Sequence, residues 1–318
     1  MTRTGCAAAL VALALAALSP NSVLLGPAAA QNQAPVADPS KCPDLWDAIG
    51  IPDRKSQGKE KFTIVCHLGY VTGHNNDNKT PEWVIEHVTP KMAASSGSAT
   101  REDQDFDADT LLPTKGQAVS ADYDGSGYDK GHQAPAADFK GNQKFLDDTF
   151  FYSNAVPQIG AGFNRSIWRS LETQVRKLST DSKRDIYVIT GPIFQESKPI
   201  KIAGDACGLK LTLPVPEKKS ICPANRDDTD AKCQAGVAVP AALYKIVFEA
   251  SGPTAFGVLM ENKSHTGEYK SGAGFAYIKK HAVSISTIED LTGLTFFTAF
   301  DTRKQRQLKQ NCVTFKFR

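Results

Sequence analysis

Residues 129–138 read DKGHQAPAAD, and this stretch decides the interpretation of the chain. It places one histidine, His132, between a glycine and a rigid Ala-Pro pair, directly after an acidic and a basic residue. Glycine allows close backbone approach, and proline stiffens the chain that follows. A histidine can exchange protons near neutral pH because its ordinary pKa is about 6.5. A solvated or capping role would be the simpler interpretation, so the stretch needs support from elsewhere.

That support comes from GFNRSIWRSLE at 162–172. A helix over 166–178 is predicted by four apolar residues at helical spacing: Ile167, Leu171, Val175 and Leu178. Asn164 and Glu172 would then lie on one face of this helix. Amide and carboxylate oxygens suit Mg²⁺, which keeps several of its waters in proteins. The alternative is that Asn164 only caps the helix while Glu172 pairs with Arg169 or Arg176.

Together, DKGHQAPAAD, SNAVPQ (153–158), GFNRSIWRSLE and VITGPIF (188–194) resemble the DNA/RNA non-specific endonuclease family of the ββα-metal superfamily. That family, which includes endonuclease G, carries an Asp-Arg-Gly-His motif followed by a metal-binding Asn and then a Glu. His132, Asn164 and Glu172 match this order and spacing. Further agreement comes from TPEWVIEHVT (80–89), AFGVLMEN (255–262) and ISTIEDLTGL (285–294), so the resemblance spans about 61–297.

The resemblance implies a role for each matched residue. His132 is the general base, Asn164 binds the metal directly, and Glu172 holds it through water. The implied metal is Mg²⁺, with Mn²⁺ as a substitute. Arg101, in SATREDQDFDADT, matches a family arginine that meets the phosphate, and Asn154 matches an asparagine that supports the site. The second ring nitrogen of His132 needs an orienting acceptor, and we expect a backbone carbonyl there.

Three further cations are candidates for phosphate contact. Arg165 and Arg169 lie on the predicted helix, although exposed helical arginines are usually just solvated. Lys130 stands where the family most often has arginine, and lysine lacks the planar fork that binds phosphate through two hydrogen bonds. Activity should survive this change, with an effect on rate or substrate preference. The remaining histidines are expected to be surface or structural residues: His67, His74, His87, His265 and His281.

The N-terminal residues and the cysteines suggest an exported protein. Residues 1–30 contain an apolar run and a small-residue cleavage signal, so they predict a signal peptide and a periplasmic or secreted protein without a membrane anchor. Arg3 is their only charge, so the net charge falls from +3 to +2 on cleavage. That balance excludes a protein that coats nucleic acid. The six cysteines beyond residue 30 favour disulfides. We pair Cys42 with Cys66 and the last four among themselves.

The pattern of elements predicts an α+β fold with a mainly antiparallel central sheet flanked by helices. We expect an N-terminal arm over 31–60, loosely ordered except for a short helix around 45–49. A single domain would cover 61–318, with a Cys-rich surface insertion at about 204–236. Strands are predicted at 61–68, 82–88, 149–153, 185–190, 242–249 and 255–261. Short helices are predicted at 142–148 and 288–291, and 91–127 as loop.

Three functions compete at this point. The first is a Mg²⁺-dependent endonuclease that hydrolyses DNA and RNA with little sequence preference and leaves 5′-phosphate ends, either as a monomer or as a homodimer. The second is a catalytically weakened nucleic-acid-binding or uptake protein, disfavoured because the His, Asn and Glu positions are intact. The third is a zinc hydrolase, disfavoured because neither H-E-x-x-H nor C-x-x-C occurs in the sequence.

Overall fold

A computed structural model describes residues 37–54, 62–102, 104–195, 197–221, 236–268 and 274–312. All of them belong to one compact unit, Ala34–Arg318. The predicted signal segment, Cys222 and Cys233 lie outside the described residues. No helix in the described ranges has the length and apolarity needed to cross a membrane.

The described strands are β1 Asp53–Arg54, β2 Phe62–Cys66, β3 Tyr70–Asn75, β4 Thr80–Val88, β5 Tyr128–His132, β6 Ala155–Ile159, β7 Ile186–Ile193, β8 Ile200–Ile202, β9 Leu211–Leu213, β10 Ser220–Ile221, β11 Val237–Ala238, β12 Ala242–Glu249, β13 Thr254–Glu261, β14 Ala282–Val283 and β15 Leu294–Thr295. The described α-helices are α1 Pro90–Ala93, α2 Ser120–Tyr123, α3 Gln143–Asp148, α4 Arg169–Ser182, α5 Gly274–Lys280, α6 Ile285–Thr292 and α7 Thr302–Lys309. Short 3₁₀ helices occur at Pro39–Lys41, Pro43–Leu45, Thr114–Gly116, Ala136–Phe139 and Tyr152–Asn154.

The central sheet has seven strands in the order β14-β13-β12-β7-β4-β3-β2, and its strand pairs are antiparallel. This confirms the predicted fold class. Side chains alternate between two apolar layers: Leu243 and Val247 of β12 face α4, whereas Tyr244 and Ile246 face the layer that includes α6 and α7. Both faces of the sheet are therefore covered.

The motif residues of the opening stretch lie in a smaller unit beside the central sheet. β5 and β6 form an antiparallel pair in which His132 faces Ala155. β6 runs straight into a π-helical segment, Gly160–Trp168, which continues as α4. Gly162 has a φ of 80°, and a side chain there would clash with Ser264, so glycine permits the sharp entry. The order strand, strand, helix is that of a ββα unit. Helix α4 ends at Ser182, beyond its predicted end at residue 178.

Three structural predictions are wrong. The run 149–153 is not a strand; Phe151 makes one parallel bridge to Asp107 before a 3₁₀ helix, and the strand comes at β6 instead. The described part of the arm, 37–54, is ordered, because Ile49 is fully buried in the core and β1 pairs with β15. The 204–236 region is not only a surface insertion, since Leu209 and Leu213 are buried in the core.

Both predictions of cysteine pairing are confirmed for the cysteines that the structure describes. Cys42 bonds Cys66, which ties the N-terminal arm to β2. Cys207 bonds Cys312 across a sequence separation of 105 residues.

The predicted loop at 91–127 also needs a small correction, because α1 and α2 lie near its two ends.

Candidate active site

The β5–β6 pair is closely packed where the motif glycine lies. The side chain of Gln158 on β6 packs against Gly131 so closely that any β-carbon on Gly131 would clash with it. Gln158 is fully buried. The glycine therefore allows the approach of the two strands that the sequence suggested, and His132 follows at the end of β5.

His132 sits edge-on between two aromatic rings. Its ring centroid lies 4.7 Å from that of Phe106 and 4.8 Å from that of Phe150. Burial first, and then the charge of Arg101, lowers the pKa of His132 to about 3. The ring is therefore neutral at physiological pH. Its Nε2 is buried and pairs with no atom of the described residues, and the two rings hold the imidazole. The carbonyl expected at the second ring nitrogen stays a prediction.

Two cations flank this histidine. The Arg101 guanidinium lies over the Phe150 ring, with Cζ 5.3 Å from its centroid, and the side chain is exposed. The Lys130 ammonium donates to Asp105 Oδ1 at 2.7 Å and lies 5.5 Å from the Tyr152 ring centroid. Partial burial lowers the pKa of Lys130, but its contacts with Asp105 and Tyr152 together outweigh this and the pKa is raised. Lys130 thus remains charged beside His132.

Asn154 supports the chain immediately after His132. The side chain is fully buried; its Nδ2 donates to the carbonyls of Ala134 and Thr149, and its Oδ1 accepts from the Ala134 amide at 2.8 Å. The Asn154 carbonyl also accepts from the Gln133 amide at 2.9 Å. The geometry is that of a positioning residue for the turn, in line with the support predicted for it.

Asn164 is held in one orientation by the motif's first residue. Its Nδ2 donates to Asp129 Oδ2 at 2.9 Å, and Arg165 Nε lies 3.1 Å from the same oxygen. Only the amide nitrogen can donate to a carboxylate, so the Oδ1 of Asn164 points away as a free acceptor. The capping alternative is not what the structure shows: Asn164 lies inside the π-helical segment. Arg165 is 67% exposed and can reach a ligand.

Glu172 lies two turns further along the same helix, and its side chain is half-buried. Burial raises the pKa of its carboxyl to about 7, while the charge of Lys245 opposes this shift. Lys245 is itself buried on β12, donates to Thr190 Oγ1 at 2.6 Å and lies 5.4 Å from the Trp168 ring centroid. Glu172 forms no ion pair with Arg169 or Arg176 in the described chain; Arg176 pairs with Asp138 instead.

The electrostatic influence of Arg101 joins the two halves of the site. Its charge lowers the pKa of His132 and also opposes the raised pKa of Glu172. Asp129 connects β5 to Asn164, and so links the strand that carries His132 to the helix that carries Glu172. Lys130 and Arg165 lie on the two flanks, each tied to a carboxylate that a phosphate could replace.

These residues fit a weakly held, hydrated divalent cation better than a caged one. The oriented amide oxygen of Asn164 and the half-buried carboxylate of Glu172 are hard oxygen donors. Among the described residues no group of three or more His, Cys, Asp or Glu side chains could enclose a metal ion. An ion such as Mg²⁺, which keeps several waters, needs few protein ligands.

Three residues of the site were not assigned from the sequence. Asp129 was visible in the motif, next to the histidine, but its partner Asn164 is 35 residues away. Lys245 carries a signal, since a single charge interrupts the apolar strand ALYKIVFE. Phe106 carries none, because it lies in an acidic, loop-like stretch.

A strand pair with a histidine at its end, followed by a helix that presents an oriented asparagine, defines a ββα nuclease unit. The DNA/RNA non-specific endonuclease family model matches residues 53–303, so the chain belongs to this family. This confirms the family that the motifs predicted and supports a nuclease as the enzyme class. In this family the ββα unit depends on a metal ion, and the comparisons do not identify which.

Several known proteins are similar. The chain is 31% identical to nuclease C1 of Cunninghamella echinulata over 240 residues, covering 73% of this chain and 81% of that one. It is 42% identical to the mitochondrial nuclease of Saccharomyces cerevisiae over 147 residues, which is 46% of this chain and 42% of the yeast protein. A solved EndoG/EndoGI complex covers 85% of this chain and 96% of the matched one, with a TM-score of 0.63 and 28% identity.

The similarities also correct one prediction. Relatives from yeast, Caenorhabditis elegans and Homo sapiens are named as mitochondrial nucleases, which contradicts the periplasmic or secreted location expected from residues 1–30. The matched stretch spans only about two fifths of the yeast nuclease and of the Syncephalastrum racemosum nuclease. Dimerisation stays a prediction.

Proposed function

We propose that the protein is a Mg²⁺-dependent endonuclease that hydrolyses phosphodiester bonds of DNA and RNA. One observation carries the proposal: the Asn164 amide is oriented by Asp129 so that its oxygen is free, in the same unit as a neutral His132 with an uncommitted buried nitrogen. A metal-facing oxygen and a proton acceptor are the two groups that such a hydrolysis needs.

His132 acts as the general base. The neutral imidazole accepts a proton from a water molecule, whose oxygen attacks phosphorus as the bond to the 3′ oxygen breaks. The 3′ oxygen takes up a proton from solvent water, the imidazolium returns its proton to solvent, and a 5′-phosphate end remains. The edges of Phe106 and Phe150 hold the ring in place for this transfer. A pKa about 3 makes the ring a weak base in the free protein, and phosphate binding near Arg101 would raise it.

The metal would be held by Asn164 directly and by Glu172 through water, and it would supply positive charge at the scissile phosphate. Arg101, Lys130 and Arg165 bind the non-bridging phosphate oxygens. Lys130 and Arg165 exchange their carboxylate partners, Asp105 and Asp129, for the substrate. All of these groups address the phosphate backbone, which carries no direct sequence information, so low base specificity follows.

The first test is cleavage of supercoiled plasmid and of single- and double-stranded DNA and RNA, with Mg²⁺, Mn²⁺, Ca²⁺ or chelator. We expect cleavage with Mg²⁺ and Mn²⁺ and none with chelator. His132→Ala should reduce turnover by roughly 10²- to 10⁴-fold while binding of substrate persists. His87→Ala, a change on β4 at a histidine that stacks on Tyr187, is the matched control. Near-normal turnover by His132→Ala would remove the base from the mechanism.

The second test concerns the metal. Asn164→Ala should weaken the response of activity to Mg²⁺, with more ion needed for half-maximal rate, because the direct ligand is lost. A loss of rate that no Mg²⁺ concentration changes would contradict the ligand role. The alternative of a weakened nucleic-acid-binding protein predicts the reverse pattern: intact DNA binding by filter retention or gel shift, and no Mg²⁺-dependent cleavage by the wild type.

A further inference from the structure

A second histidine, His67, lies in a buried ionic cluster behind the site. Its Nε2 is 3.1 Å from Asp109 Oδ2, and its Nδ1 is 3.4 Å from Asp148 Oδ2, with all three side chains almost completely buried. Ser153 Oγ donates to Asp109 Oδ2 at 2.6 Å. The Tyr70 ring stacks on the imidazole with a centroid distance of 4.3 Å. The function proposed above uses none of these groups.

The cluster joins three separate parts of the chain. His67 follows β2, Asp109 ends a loop segment, and Asp148 ends α3. Asp148 also accepts from the Leu68 amide at 2.6 Å, which fixes α3 to the β2–β3 turn. Ser153 is the neighbour of Asn154 in the chain. One imidazole therefore holds together segments that have no other covalent or ladder connection in common.

The loop segment fixed by Asp109 is the one that carries the walls of the active site. Asp107 donates its amide to the Phe150 carbonyl at 2.8 Å and accepts from the Tyr152 amide at 3.0 Å. Phe106 contacts the His132 ring, and Asp105 accepts from Lys130 at 2.7 Å. The backbone of residues 105–109 is thus attached to 150–153 at one end by the bridge and at the other by the His67 cluster.

Stabilisation of the fold does not by itself explain the buried cluster at His67. Removing three ionisable side chains from water carries a desolvation cost that opposes their mutual attraction, and apolar replacements of such groups are often neutral or stabilising. Burial lowers the pKa of His67, but the hydrogen bonds and charges of Asp109 and Asp148 outweigh this and raise it to about 9. At neutral pH the imidazole is a cation between two carboxylates, and such contacts fix distance and direction.

We propose that His67 is a positioning residue for His132, acting through Asp109 and the segment that carries Phe106. This rests on the proposed function, in which His132 is the base. In this role His67 contacts neither substrate nor metal; it sets the position of the Phe106 ring. Changing it shifts His132 away from the reacting water while phosphate binding is unaffected.

The experiment compares His67→Gln with His87→Gln. His87 is a matched control because it also pairs with an aspartate, Asp185 at 3.3 Å, and stacks on a tyrosine, Tyr187, at 4.3 Å. Tyr187 belongs to a different apolar cluster from Tyr70, so the two substitutions alter separate layers of the protein. We expect His67→Gln to lower kcat by roughly ten- to hundred-fold with KM within about twofold, as for a small misplacement of reacting groups. His87→Gln should leave both constants unchanged.

A readout that needs no substrate separates this proposal from the proposed function. With ¹⁵N- and ¹³C-labelled histidine, the NMR signals of the His132 ring should move in His67→Gln and stay in place in His87→Gln. If the wild type cleaves nothing, the nuclease function fails, yet the signals still test the positioning. Wild-type His132 signals together with wild-type kcat in His67→Gln would overturn the positioning role.

A second variant applies if His67→Gln does not fold. Phe106→Leu leaves the ionic cluster intact and removes only the ring that touches His132. It should reproduce the loss of kcat at unchanged KM and the moved His132 signals. A wild-type result with Phe106→Leu would overturn the route through residue 106.

Discussion

His67 and His132 are two histidines buried against aromatic rings, and their protonation is opposite. His67 has Tyr70 and Phe151 beside its ring, and His132 has Phe106 and Phe150. Burial alone lowers the pKa of both. Two carboxylates reverse this at His67, where the pKa rises to about 9, whereas Arg101 adds to it at His132, where the pKa falls to about 3.

The difference shows that two nearby carboxylates reverse the effect of burial on a histidine, whereas without them burial keeps the imidazole neutral. A permanently charged imidazolium has no free lone pair and serves as an ionic connection, whereas a neutral imidazole has one and serves as a base. The consecutive residues Phe150 and Phe151 contact one histidine each. The two environments are therefore one residue apart at this point of the chain.

The largest effect is expected from removing one of the carboxylates at His67. Asp109→Asn leaves the imidazolium and Asp148 in an incomplete buried cluster, and this should lower the free energy of unfolding by about 3–5 kcal/mol. Urea denaturation measures it. Asp107→Asn is the control, because Asp107 is exposed on the same segment and joins it only through backbone contacts. Equal small losses in the two variants would show that the cluster contributes no stability.

A smaller effect is expected from alkaline pH. The pKa of His67 is raised in the folded state, so its stabilisation is complete below the unfolded value near 6.5 and is lost as the pH rises through about 9. The difference corresponds to about 3 kcal/mol. The free energy of unfolding should fall over this range more steeply in the wild type than in His67→Gln. Parallel curves for the two proteins would contradict a charged His67.

The smallest effect is expected from Arg101→Gln, which changes the charge next to His132. Without the guanidinium the pKa of His132 should rise, so the acidic limb of kcat/KM against pH should move to higher pH, with a change of about tenfold in rate on that limb. The overall rate also falls because a phosphate contact is lost. Arg184→Gln, beside Glu249 and away from the site, should leave the limb in place.

Much of this molecule could be predicted from its sequence. The apolar runs of β12 and β13 and the helical spacing of Ile167, Leu171, Val175 and Leu178 predicted buried elements, because an apolar pattern reflects burial directly. His132, Asn164 and Glu172 could be found because they lie in motifs at a recognisable spacing. These are the features that short stretches of sequence determine.

The rest could not be predicted because it depends on contacts between distant segments. The run 149–153 looks like a strand, yet the buried Asn154 bonds Ala134 and Thr149 and turns the chain there. The pKa of His67 depends on residues 42 and 81 positions away, a separation no local pattern reports. The orientation of Asn164 likewise depends on Asp129, across the strand pair.

The adjacency of Phe150 and Phe151 has a consequence for insertions and deletions. Their rings contact different histidines, Phe151 at His67 and Phe150 at His132. Losing one residue between α3 and β6 would therefore change which ring meets which imidazole. A substitution at either phenylalanine changes only one of these contacts at a time.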